Sequence, residues 1–361
     1  MTMERLPLVS VIIPMYNAER FIEQTLESLC RQTMKDFEVV IVDDCSTDNS
    51  LAVVKNFAPR LVGLGIKVNG IGLKKNNGSP GVPRNIAINF ARGKYIAFLD
   101  ADDLFTPTAL EELSTLAEKF QADVVNMTDF FCFDDEQLKG VTTEELLKTN
   151  HRVITCRKIG APRLQQATEI PHDIFERVKL WLNNDIHWAT CATFCKKDFL
   201  SANEIRFPNM KVGEDIILNF VCFCLARKYL RVPNVVYFYR QRGDSASHGK
   251  ADAEKHFHKF LRNLNLGFKE LDKFMRLFQF FTERQDYRYA VFNWFFEKIV
   301  RQAEYFLGAY GQAHHAALAQ IAEQVFSDDE ATFSAYLFNT VNIQRIQIMQ
   351  LYRELAKFHR Q

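Results

Sequence analysis

The sequence predicts an α/β fold, a mostly parallel sheet with flanking helices, followed by a helical C-terminal module. Three observations carry this. Short β-branched runs alternate with amphipathic stretches through the first half. Two of those runs, "FEVVIVDD" and "YIAFLDADD", end in clustered carboxylates. From about Lys250 the β-rich runs give way to Phe, His, Lys and Glu with apolar residues at helical spacing.

"LVSVIIP" (residues 8–14) reads as a buried strand from its β-branched content. Phe21, Ile22, Leu26 and Leu29 then share one face of a helix over about 18–31. Residues 37–44 form a second strand, after which Ser46, Thr47 or Asp48 can cap a helix running to about Phe57. A weaker strand falls near 65–68. "GSPGVPRN" is a turn leading to a helix over about 82–91. Residues 95–99 are the next strand. Thr106 is a cap with Pro107 at the first position of a helix to about Phe120, and "ADVVNMT" is one more strand. Residues 130–171 mix charges and turn residues, which predicts a loop-rich insertion, with 130–180 as a variable acceptor-side segment. "KVGEDIILNFVCFCLA" is a helix entered through Gly213, and "RVPNVVYFYRQR" is a last strand. The expected division is 1–249 for the first domain and 250–361 for the helical module. In that module Phe257, Phe260, Leu261 and Leu264, and again Phe292, Phe295, Phe296 and Ile299, form stripes suited to helix packing. The Lys and Arg among them are also compatible with a peripheral membrane or partner surface.

A chain of 361 residues is long enough for about two domains. A net charge of +1 excludes partners recognised by bulk charge, nucleic acid among them. The eight cysteines contain no C-x-x-C pair, which disfavours zinc or a disulfide lattice and suits reduced thiols in a cytoplasmic protein. The first residues lack the pattern of a secretory signal, and no apolar run approaches eighteen residues. A cytoplasmic location is the expectation.

Like charges at the end of a buried strand cost desolvation unless something receives them. Ligands of parallel α/β sheets bind outside the carboxyl ends of the strands. Asp43, Asp44, Asp100, Asp102 and Asp103 are therefore expected to line one crevice. Asp100 and Asp102 suit a hard cation completed by substrate phosphates; a solvated loop with Asp100 or Asp103 as a cap is the alternative. Asp43 and Asp44 can accept from a base or ribose, or simply build an Asx turn. Glu214 and Asp215 lie in a first helical turn, where the helix dipole alone favours acids. No G-x-x-x-x-G-K-[ST] occurs, and Gly63, Gly65 and Gly70 do not make G-x-G-x-x-G, so a glycine cradle for phosphates is disfavoured.

Taken in order, "VSVIIPMYN", "FEVVIVDDCSTDNS", "GSPGVPRNIAINFARGKYIAFLDADD" and "VGEDIILNF" resemble family 2 glycosyltransferases of the GT-A, Rossmann-like fold. The resemblance covers about 9–247. It implies a metal-dependent, inverting transfer from a nucleotide diphospho-sugar, expected to be a UDP-sugar, with Mn²⁺ or Mg²⁺. The acceptor would be a hydroxyl of a glycan or lipid-linked molecule in bacterial surface-polysaccharide synthesis. Residue by residue, Pro14, Tyr16 and Asn17 correspond to the base pocket, with the Tyr16 ring on the uracil. Asp44 would bond the base and Asp43 lie near the ribose. Arg84 falls in a donor-contacting "A-R-N" stretch where Pro83 replaces the usual Ala. Asp102 would ligate the metal, with Asp100 beside it or nearer the donor's ribose. Asp215 matches the general base, with Glu214 next to it. Many relatives carry His where Arg242 stands, so His248 is the remaining candidate for a histidine ligand. Arg240 and Arg242 are expected on a mobile segment, 240–248, closing over the diphosphate. Trp181 and Trp188 are candidates for stacking on acceptor sugars, with core packing as the alternative. A homo-oligomer is compatible with the sequence. A nucleotidyltransferase would want a Gly-rich loop and a Lys near the first strand, and neither is visible. A non-catalytic glycan-binding protein would have no need of intact Asp102 and Asp215.

Overall fold

The computed structural model describes residues 5–134, 154–156, 164–241 and 253–310. By internal contacts the chain divides into two units, Met1–Gly249 and Lys250–Gln361. The first begins with β1 (Val9–Met15), α1 (Ile22–Cys30), β2 (Phe37–Asp43), α2 (Ser50–Gly63), β3 (Lys67–Gly72), α3 (Gly81–Phe90) and β4 (Tyr95–Phe98). It continues with β5 (Leu104–Phe105), α4 (Ala109–Phe120), β6 (Val124–Met127), β7 (Phe130–Asp134), β8 (Ile154–Cys156) and β9 (Thr168–Ile170). It ends with α5 (Ile174–Leu182), β10 (Thr193–Lys196), α6 (Lys197–Ala202), α7 (Glu214–Leu225), β11 (Tyr229–Val232) and β12 (Tyr237–Gln241).

The main sheet has the order β3-β2-β1-β4-β10-β6-β11-β9. Strands β1 to β4 are mutually parallel, as are β6 and β11, while β10 and β9 run antiparallel to their neighbours. Side-chain alternation gives each strand two faces. Val9, Val11 and Ile13 join a core with Leu26 and Leu29 of α1, Val54 and Phe57 of α2, and Leu110 and Leu113 of α4. Helix α3 packs on β1 and β2, placing Ala87 and Ile88 among the buried residues.

The strand order reverses between β1 and β4, and this is where such sheets open a ligand crevice. The β1–β4 ladder ends at Ile12 and Phe98, while β1 continues beside β2 to Met15. Ile12 bonds toward β4, its carbonyl accepting from Leu99 N. Pro14 has the same parity, so its missing N–H falls where no ladder partner remains. That is why a proline sits in a central strand here.

Several expectations are corrected. Residues 130–171 are not simply loop: β7 and β8 join β12 and β5 in a second, four-stranded sheet ordered β5-β12-β7-β8, and β9 edges the main sheet. The run "RVPNVVYFYRQR" is two strands, because β11 ends at Val232 and Pro233 redirects the chain into β12 of the second sheet. Helix α2 passes Phe57 to Gly63 with Pro59 inside it. Helix α4 starts at Ala109, two residues beyond the expected proline, with Thr108 as its N-cap; Thr106 Oγ1 makes no capping bond.

The second unit contains α8 (Ala253–Met275), α9 (Gln279–Glu283) and α10 (Gln285–Tyr310). Within it Phe268 lies 5.1 Å from Phe292 and 6.1 Å from Phe295, ring centre to ring centre, so α8 and α10 pack against each other through these rings; the side chains of Phe257, Phe260 and Leu261 lie outside the described residues. Among the described residues no helix is long and apolar enough to cross a membrane.

Candidate active site

The ends of β1 and β2 are tied by reciprocal bonds. Asp44 N–H donates to Met15 O at 2.7 Å, Asn17 N–H to Ser46 Oγ at 2.9 Å, and Thr47 N–H to Asn17 Oδ1 at 2.8 Å. Ser46 donates both its N–H and its hydroxyl to Asp43. These bonds hold Asn17 and Cys45 in the left-handed region, at φ of 47° and 66°, conformations that cost of order 1–3 kcal/mol each and cluster at functional sites. Asp44 accepts from Asn77 N–H at 2.9 Å and Asn77 Nδ2 at 2.6 Å. Asp43 and Asp44, expected to line the crevice, are thus buried and engaged by Ser46 and Asn77. An ionised carboxylate accepts at about four lone-pair positions, so Asp44 keeps capacity for a ligand donor. Tyr16 follows β1 directly with 49% of its surface exposed.

The three aspartates after β4 meet three different fates. Asp100 remains one-third exposed and receives Arg84 Nη2 at 2.6 Å. Asp102 is half-buried, and its backbone carbonyl accepts from Arg240 Nε at 2.8 Å. Asp103, expected to face the crevice, is buried: its carboxylate accepts from Tyr237 Oη at 2.6 Å and Arg240 N–H at 2.7 Å. The same Tyr237 hydroxyl accepts from Asp100 N–H at 3.2 Å. Burial, then Asp102 and Asp100, push the Asp103 carboxyl well up. Strand β12 therefore clamps the acidic loop from below. Arg240 is correspondingly not on a mobile lid. It is a buried strand residue that also donates to Gln24 and lies between the Phe21 and Phe133 rings. Arg242, Gly243 and His248 lie outside the described residues.

The basic centre of the site is Arg84, buried on α3 with its guanidinium 5.3 Å from the Phe207 ring centre. Burial works against its charge, but Asp100 and Glu214 outweigh this and raise its pKa. Helix α7 begins beside it. Gly213 takes φ +82° at the N-cap, a conformation that only glycine adopts without penalty. This turn sets Glu214 and Asp215 at the positive end of the helix. Asp215 Oδ1 accepts Ile216 N–H at 2.8 Å. Burial pushes the Glu214 carboxyl up to about 7, with Asp215 adding to it and Arg84 opposing. Burial pushes Asp215 up to about 6, opposed chiefly by Arg84. Burial, with one guanidinium set against three carboxylates, Asp100, Glu214 and Asp215, leaves a proton acceptor poised near neutrality.

Among the described residues no group of three or more His, Cys, Asp or Glu could hold an ion by itself. Asp100 and Asp102 offer hard oxygen ligands, and their field adds to burial in raising Asp103. That excess of negative charge fits a cation whose remaining ligands are phosphates and water.

The structure thus brings Arg84, Asp100, Glu214 and Asp215 together, as their mutual fields show. Trp181 is excluded: it is 1% exposed and packed on Phe220 and Phe223. Trp188 is half-buried. Sequence reasoning missed Asn77, Tyr237 and the clamping part of Arg240. Asn77-Gly78 reads only as a turn, and nothing local ties Tyr237 to a loop 134 residues earlier.

The family model described as Glycosyl transferase family 2 matches residues 10–195, just over half the chain. The minor teichoic acid biosynthesis protein GgaB of Bacillus subtilis (strain 168) is 31% identical over 243 residues, covering 66% of this chain and 23% of that protein. The Escherichia coli protein named UDP-Glc:alpha-D-GlcNAc-diphosphoundecaprenol beta-1,3-glucosyltransferase WfgD is 28% identical over 258 residues, covering 67% of this chain and 98% of that protein. A crystal structure of S. aureus TarS 1-349 in complex with UDP-GlcNAc shares the fold at TM-score 0.53 and 20% identity, covering 84% of this chain and 92% of that one. The chain spans 23%, 35% and 58% of the length of three of the curated relatives it matches.

Proposed function

The chain belongs to glycosyl transferase family 2, and on that premise we propose that it moves a sugar from a UDP-sugar to a hydroxyl of a glycan or lipid-linked acceptor in bacterial surface-polysaccharide synthesis. The observation that carries this is the Asp215 carboxyl, raised to about 6 beside the Arg84–Asp100 pair at the start of α7. A base with a pKa near the working pH is what deprotonating a sugar hydroxyl requires. In the proposed step the acceptor oxygen attacks the anomeric carbon and its proton passes to Asp215. The bond from that carbon to the diphosphate oxygen breaks, releasing UDP with inversion. Burial, Arg84 and Asp100 set the environment in which Asp215 titrates, with Glu214 next to it. Tyr16 stacks on the base, Asp44 accepts from it, and Pro14, Asn17 and Asp43 shape the pocket. A divalent cation, Mn²⁺ or Mg²⁺, would be held by Asp102 with Asp100, and supplies positive charge to the leaving diphosphate when bound. The Tyr237–Asp103–Arg240 clamp holds the backbone that carries those two carboxylates.

WfgD, named for a UDP-Glc donor and a diphosphoundecaprenol-linked acceptor, supports this choice of donor and acceptor class. The helical unit is the part we assign to peripheral contact with the membrane face that carries such an acceptor. A cytoplasmic location goes with the same reading. The test is a panel of UDP- and GDP-sugars with Mn²⁺, read as release of nucleoside diphosphate. Release from at least one UDP-sugar, above every GDP-sugar, is expected. Turnover of GDP-sugars alone, or of none by folded protein, overturns the proposal.

A further inference from the structure

Arg231 lies near the carboxyl end of β11, only 6% exposed, and neither Nε nor Nη2 has a hydrogen-bond partner. Those two nitrogens form one edge of the guanidinium, the fork that grips paired oxygens of a carboxylate or phosphate. A buried charge without a partner is costly to fold. Burial accordingly lowers the Arg231 pKa; the fields of Tyr229 and Asp185 oppose this, but neither gives the fork an acceptor.

The surroundings are polar in a defined direction. Arg231 pairs in register with Asn126 of β6, and Asn126 with Thr193 of β10. Val125 and Leu230, one residue earlier on their strands, belong to the apolar core, so Asn126 and Arg231 face the other side of the sheet. Asn126 is fully buried; its Nδ2 donates to His187 O at 2.9 Å, while its Oδ1 has no partner. Thr193 Oγ1 donates to Asn219 Oδ1 at 2.6 Å, and Asn219 Nδ2 donates to Asp215 O at 2.8 Å. A line of polar side chains therefore runs from the turn bearing Asp215 across three strands to Arg231. At about 4.8 Å per strand, the last two steps span roughly 10 Å, the length of one to two sugar rings.

We propose that the Arg231 fork and Asn126 form a subsite for an acidic sugar unit of the acceptor. The fork takes its phosphate or carboxylate, and Asn126 Oδ1 takes a hydroxyl of the same unit. This rests on the glycosyltransferase reading and deepens it, since it assigns charge to the acceptor. The subsite borders the short edge strand β9, whose Thr168 pairs with Arg231 and is itself exposed.

The test uses Arg231→Met in the full chain, with UDP and Mn²⁺ present so that the donor pocket is filled. Inorganic phosphate and glucuronate are the probes, followed by thermal melting. Because the wild-type fork has no acceptor, the variant should melt at or above the wild-type temperature. Wild type should gain at least about 2 °C with phosphate or with glucuronate, and the variant should gain nothing. A response to phosphate alone identifies a phosphorylated unit, and one to glucuronate alone a uronic acid. Arg231→Lys, which keeps the charge but loses the fork, should lose most of the gain. A variant melting more than about 4 °C lower would make Arg231 a structural residue. Equal responses in wild type and variant, or none in either, would also overturn the subsite. UDP binding by the wild type is read separately: if it is absent, the donor reading fails whatever the anions do.

Discussion

Replacing Glu214 by Gln should make the protein more stable at pH 8 relative to pH 5 than wild type is. Burial beside Asp215 raises the Glu214 carboxyl to about 7, from an ordinary 4.5. Between those values the folded state holds a proton that the unfolded state has lost. Stability therefore falls as pH rises through this window. The interval is about 2.5 pH units, and each is worth about 1.4 kcal/mol, which sets an upper bound of about 3–4 kcal/mol. Glu214 titrates together with Asp215 and Arg84, so its own share is smaller, of order 1–2 kcal/mol. Gln keeps the shape and cannot ionise. Urea unfolding of both proteins at pH 5 and pH 8 gives the difference of differences. A variant that gains at least about 1 kcal/mol on wild type between the two pH values supports the buried, charge-deficient site. An identical pH dependence in the two proteins would falsify it.

Three further outcomes follow from the same geometry. Arg177 is fully buried and donates to the carbonyls of Phe223 at 2.6 Å, Ala226 at 2.5 Å and Pro171 at 2.8 Å; Arg177→Met leaves them unsatisfied and should cost about 3–5 kcal/mol in urea unfolding, in contrast to Arg231→Met. A Cβ on Gly93 would lie 2.5 Å from Ser10 N, backbone that cannot move alone, so Gly93→Ala should cost about 1–3 kcal/mol by the same assay. Asp102→Ala should weaken UDP binding at least about tenfold in Mn²⁺ and leave it unchanged in EDTA, measured by calorimetry; equal loss in both would remove Asp102 from the metal site.

What the sequence made legible was local. The β-branched runs announced β1, β2 and β4, and Gly213 before two acids announced the start of α7, because each depends on a few adjacent residues. The crevice followed from the rule that ligands meet parallel strands at their carboxyl ends. What stayed hidden depends on partners far along the chain. Asp103 looks like Asp100 and Asp102 in sequence, yet it is Tyr237 and Arg240 that turn it inward. Arg240 looked like a loop cation because its carboxylate and aromatic neighbours lie more than a hundred residues away. Trp181 next to polar "NNDIH" suggested a sugar platform, whereas Phe220 and Phe223 of α7 enclose it. Unpaired Arg231 had no sequence signal at all, since "YLRV" reads as an ordinary strand.

The central claim is that Asp215 is the base, and one variant tests it most directly. Asp215→Asn keeps the size of the side chain and an oxygen able to accept from Ile216 N–H, but it cannot take a proton. UDP affinity in Mn²⁺ should stay within about twofold, because the base is not a donor ligand. Transfer from the active UDP-sugar should fall by about 10²-fold or more. In wild type the ionised carboxylate is the working form, so the rate should climb with pH up to about 6 and then level; the variant's residual rate should lack that limb. Transfer by Asp215→Asn within tenfold of wild type, with the same pH profile, would contradict the account.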